Sequence, residues 1–72
     1  MIAFAVETSV RTYRNVLAEE KGDAAETVAR WAYGPEARVR FVANHPKSRR
    51  GASTFAVVVA GREVDFVAVT HH

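Results

Sequence analysis

Cysteine is absent from the 72 residues, so the chain has neither a disulfide framework nor a thiolate metal site, a usage that fits a reducing compartment. No apolar run approaches the roughly 18 residues of a membrane-spanning helix, and no signal-peptide pattern opens the chain, so a cytoplasmic protein away from membranes is expected. Internal repeats, low-complexity tracts and linkers are missing too. One domain over residues 1–72 follows, because a second core would not fit. Neither a Gly-rich phosphate loop nor a nucleophile elbow is present, and Ser48 and Ser53 have no evident base partner. Three histidines without ligand spacing argue against a metal site, so no metal and no cofactor are expected. Charge of one sign is scarcely in excess: ten Lys+Arg stand against eight Asp+Glu, a net charge of +2. What the chain does have is a hydrophobic share of 49%, too high for a disordered tail. A domain this small buries only about 60% of its unfolded surface, so a partner, a self-interface or a very economical core is expected to support it.

The few glycines and prolines punctuate the chain. Ile2, Phe4 and Val6 alternate with Ala3 and Ala5, a period-two pattern that reads as a strand. Thr8 or Ser9 then offers an N-cap oxygen, and Val10, Tyr13 and Leu17 fall at i, i+3 and i+7, opposite Arg11, Asn15 and Glu19. Residues 9–21 therefore read as an amphipathic helix that Gly22 ends. Asp23 with Glu26 three residues on resembles a capping box, and the Ala-rich stretch from Ala24 to Ala32 reads as a second helix stopped by Gly34-Pro35. Beyond Pro35 the pattern turns to β. Residues 38–43 alternate as a half-buried strand, and residues 55–60 are apolar on both faces, as in a central strand. Gly61-Arg62 reads as a type II′ turn into a return strand over residues 63–70. The expected fold is α+β, in the order β-α-α-β-β-β, with a helical hairpin packed on a small, mainly antiparallel sheet.

Local charge is the most informative feature. Arg38, Arg40, Lys47, Arg49 and Arg50 fall within thirteen positions that hold no acid, and His45 sits among them. Arg38 and Arg40 share a strand face because side chains two apart point the same way. Such a cluster attracts phosphate or carboxylate oxygens, which arginine grips bidentately. The competing reading is a solvated face that binds nothing. His71 ends the last strand and would lie beside Arg38 and Arg40 if those strands paired, as a proton donor or acceptor next to cations; against this, terminal residues fray. Glu63 and Asp65 share a strand face in this reading, as the solvated side of an edge strand. Helical spacing makes Tyr13 and Trp31 core candidates, whereas Tyr33 beside Gly34-Pro35 is expected to be exposed.

The layout, together with Ser48-Arg49-Arg50 leading into the segment from Phe55 to His72, resembles the RelE/ParE toxin superfamily. The likeness is of a basic segment, a β-hairpin and a final strand ending in histidine. It implies an endoribonuclease in which Arg49 or Arg50 stabilises the phosphate electrostatically and His71 handles a proton, with RNA or the ribosome as target and an antitoxin as partner. Arg38, Arg40, His45, Lys47, Arg49 and Arg50 would form the binding surface. The alternative is a non-enzymatic module that docks on an acidic protein or a nucleic acid, or pairs with itself as a homodimer through a sheet edge.

Overall fold

The computed structural model describes residues 1–43, 45 and 51–72. Its elements are β1 (Ile2–Glu7), β2 (Thr12–Ala18), α1 (Lys21–Tyr33), β3 (Arg38–Val42), β4 (Ser53–Val59) and β5 (Arg62–His71). The strands form one antiparallel sheet in the order β2-β1-β5-β4-β3, with α1 packed across one face. The class is α+β, but the order is β-β-α-β-β-β. The expected helical hairpin does not exist.

The correction lies at residues 9–21, which turn and return as β2. Thr8 does cap backbone N–H groups, but those of a hairpin turn: its Oγ1 accepts from Val10 N (3.2 Å) and Arg11 N (3.1 Å) and donates to the Arg11 carbonyl (2.9 Å). A bulge disguises the strand. Phe4 faces Val16 and Val6 faces Tyr13, so Ala5 alone opposes Arg14 and Asn15, and Asn15 takes a left-handed φ of 59°. The core-facing residues of β2 are therefore Tyr13, Val16 and Ala18. A three-residue step in that series imitates helical spacing and hides the alternation. Gly22 ends no helix; it lies in the first turn of α1, which starts earlier than Asp23 would have it, with Glu20 at the N-cap and Asp23 inside the first turn. Gly34 closes α1 as expected, its N–H bonded to the Arg30 carbonyl at 2.9 Å.

Ala24, Ala25, Val28 and Ala29 are fully buried and join Phe4, Val6, Val16, Phe55, Val57, Val67 and Val69 in one core. Small side chains on the inner stripe of α1 let its backbone approach the sheet, while the two phenylalanines fill the remaining depth. The other, open face of the sheet carries no helix among the described residues. No helix among the described residues is long and apolar enough to cross a membrane.

β4 is the inner strand its apolar composition predicts. β5 is inner too, between β1 and β4, so the expectation that it forms an edge is corrected. Val58 faces Glu63 while Val57 faces Asp65, so Val64 is an inserted bulge residue that sends Glu63 and Asp65 to different faces. The β4–β5 turn is centred on Ala60 and Gly61, both at positive φ (52° and 77°), and is of type I′ in place of the predicted II′. A Cβ-bearing alanine is strained there, whereas asparagine tolerates this conformation. Ala60→Asn is expected to stabilise the protein by about 0.5–1 kcal/mol, raising Tm by several degrees in a thermal melt.

Candidate functional site

The structure distributes the predicted site residues unequally. Arg38 and Arg40 do share a face: they alternate with Val39, which packs on the core, and so lie on the open side of β3. β3 borders the sheet, with β4 on its inner side and no strand beyond it among the described residues. Arg40 faces Ala56 of β4, which faces Phe66 of β5. The Arg40 side chain crosses β4 and forms an ion pair and hydrogen bond with Glu63 of β5. Ala56 beneath it is fully buried. Arg38 Nη1 donates to the Ala37 carbonyl at 3.3 Å. His45 reaches the same face, its ring centroid 4.4 Å from that of Phe66. Arg38, Arg40 and His45 thus share the open face with Glu63 and Phe66. Lys47, Arg49 and Arg50 lie outside the described residues.

His71 is elsewhere. β5 pairs with β1 and β4, never with β3. His71 faces Phe4, and the two rings stack with centroids 5.2 Å apart. Phe4 belongs to the core on the helix side, so His71 lies on the opposite face from Arg38 and Arg40. It is also five residues, about 17 Å, along β5 from the level of Arg40. The expected juxtaposition of His71 with these arginines is not formed.

β3 also exposes an apolar group. Phe41 is 60% exposed on the helix side of the sheet, although its ring meets Phe55 edge-to-face at 5.7 Å. It stands on the border strand, with most of its surface uncovered among the described residues. One border thus offers guanidinium groups on one face and an aromatic ring on the other. That combination can hold carboxylates or phosphates and bury apolar surface at once.

A second polar cluster was not legible in the sequence. Asp65, 7% exposed, accepts hydrogen bonds from Tyr33 Oη (2.6 Å), Ser9 N (3.2 Å), Ser9 Oγ (3.1 Å) and its neighbour Phe66 N (2.7 Å). Burial alone would push its carboxyl up, but the Tyr33 hydroxyl and the Ser9 and Phe66 donors outweigh it and hold the carboxyl below its ordinary value. Tyr33 is raised, chiefly by that same hydrogen bond. It is half-buried, which corrects the expectation of an exposed ring. The signal available beforehand was an acid within the strand run Val64-Asp65-Phe66-Val67, which demands partners if the strand is internal.

The Asp65 cluster pins the β1–β2 turn to the end of α1. Between them lies a groove of about 290 Å³ lined by Val10, Arg11, Tyr13, Trp31 and Tyr33, among others. Trp31, expected in the core, is 62% exposed and leans on Tyr13 at 6.0 Å. The Arg11 guanidinium lies 4.9 Å over the Tyr13 ring. Tyr13 stands on the outer strand β2, so a tryptophan resting on it overhangs the rim of the sheet.

Among the described residues no three His, Cys, Asp or Glu side chains are grouped to hold a metal ion. No protein family, curated protein or solved structure matches the chain. The helical hairpin that gave the RelE/ParE likeness its layout is not part of this fold.

Proposed function

We propose that the chain is a small docking module whose contact surface is the β3 border of the sheet. One observation carries the reading: β3 is an outer strand that presents Arg38 and Arg40 on one face and a 60% exposed Phe41 on the other. A partner surface with acidic and apolar groups would find complements to both, with the arginines setting encounter rate and salt sensitivity. Docking is favoured over RNA cleavage because His71, the candidate proton-transfer group, stacks on Phe4 on the opposite face of the sheet from Arg38 and Arg40.

Affinity capture from extracts of the encoding cells tests this, using the wild-type chain, Arg38→Glu/Arg40→Glu, Phe41→Ser and, as a control, Trp31→Ala. A protein retained by wild type and Trp31→Ala, and reduced at least tenfold by both β3 variants, is the expected result. Retention indifferent to the β3 variants would overturn the reading. Release of everything by ribonuclease would replace it with RNA binding.

A further inference from the structure

The two borders of the sheet are built differently. β2 is interrupted by the Arg14–Asn15 bulge with its left-handed residue, the kind of irregularity that stops another strand from adding. β3 has no bulge and no left-handed residue. Its five residues pair with β4 in unbroken register, from Arg38 opposite Val58 to Val42 opposite Thr54, with no proline and no positive φ. The amide groups on its outer side face no strand among the described residues.

The side chains specify what would fit. A strand laid along β3 would meet Arg38 and Arg40 on the open face, and Val39 and the uncovered Phe41 on the helix side. We infer that β3 receives a sixth strand, an extended segment of a partner protein in which acidic and apolar residues alternate, acids opposite the arginines and apolar side chains over Val39 and Phe41. The inference rests on β3 being the docking border and gives the partner its form. Main-chain hydrogen bonds along the edge would supply affinity, and the alternating side chains specificity. Glu63 shows that Arg40 accepts a carboxylate on this face, and it would compete with the incoming acid. A second copy fits less well: antiparallel pairing over all five residues sets Arg40 directly against Arg40, and like charges opposed across a ladder destabilise it.

The probes are fluorescein-labelled nine-residue peptides titrated by anisotropy: one alternating Glu and Val, one alternating Lys and Val, and two Glu/Val peptides N-methylated at alternate amides, one in each phase. The Glu/Val peptide is expected to bind at least tenfold more tightly than the Lys/Val peptide. One N-methylated phase should lose at least tenfold while the other keeps its affinity, because only one row of amides faces the edge. Arg38→Glu/Arg40→Glu should abolish binding, and Glu63→Gln should tighten it two- to threefold. Equal binding of all three Glu/Val peptides would overturn strand addition in favour of contact by charge alone. Absence of peptide binding, with captured partners still lost by the β3 variants, would overturn strand addition and leave the docking reading standing. Sedimentation showing a wild-type dimer that Phe41→Ser disperses would assign the edge to a second copy and overturn the inference. The peptide series is measured on the unaltered chain, so it decides even if a variant fails to fold.

Discussion

Asp65→Ala is expected to remove about 3 kcal/mol of stability, the sum of hydrogen bonds to a charged acceptor and of the donors left unpaired behind it. At the usual 0.05–0.15 kcal/mol per residue, a chain of this length holds only roughly 4–11 kcal/mol, so the loss is a large fraction of the whole. A thermal melt should register it as a fall of about 10–25 °C, given the shift of about 4–8 °C per kcal/mol in domains of this size. The effect is this large because the four donors come from three places: the β1–β2 turn through Ser9, the end of α1 through Tyr33, and β5 itself. Tyr33→Phe should cost about half as much, since it removes one hydrogen bond and leaves the others. In a double-mutant cycle the two changes should be clearly sub-additive, because both remove the same bond; strict additivity would mean that the Tyr33–Asp65 contact contributes nothing.

The same cluster sets a pH dependence. The Asp65 carboxyl is lowered in the folded state, so its contribution is fully present above its ordinary value near pH 4 and is lost as pH falls through the lowered one. The Tyr33 phenol is raised, so its contribution is complete below about pH 10 and declines as pH climbs above that toward the folded value. Denaturation midpoints followed across pH should show both slopes in the wild type and neither in Asp65→Ala.

Phe4→Ala is expected to be more damaging still, at about 3–5 kcal/mol, nearly all the stability of a chain at the low end of the roughly 4–11 kcal/mol range and about a third of it at the high end. The ring is 1% exposed at the middle of the core, where β1 joins the N-terminal hairpin to the strands that follow α1. His71→Ala, which removes the ring stacked on Phe4, should cost under about 1 kcal/mol, because that histidine is exposed and contributes only an aromatic contact. Chemical denaturation of the two variants checks the contrast. A His71 variant as unstable as the Phe4 one would show that the strand end is held far more tightly than a single stacked pair allows.

The candidate site was legible where chemistry is local. That Arg38 and Arg40 share a face follows from the pleat, and the structure agrees. Which face, and next to what, depends on strand order, and strand order arises from pairings between residues far apart in the chain. His71 could be joined to the arginines only if β5 lay beside β3; with β4 between them and the pleat reversed, it stacks on Phe4. The helix misread over residues 9–21 failed for a related reason. A bulge exists only relative to a partner strand, so the three-residue step from Tyr13 to Val16 has no β meaning until β1 is alongside.

The amino-acid order by itself determined the first strand, the alanine-rich helix and its Gly34 stop, the apolar inner strand and the placing of five cations in one acid-free stretch. Each depends on contacts within a few residues, where periodicity and backbone preference act directly. The tertiary structure alone decided that β2 is a strand, that Asp65 is a buried acceptor for Ser9 and Tyr33, that Arg40 spends its charge on Glu63, and that β3 is left as an open border beside Phe41. The first of these needs β1 alongside, through pairs 5 to 16 positions apart; the others join residues from 23 to 56 positions apart or turn on which strand lies outermost, and no local signal reports which segment a strand will meet.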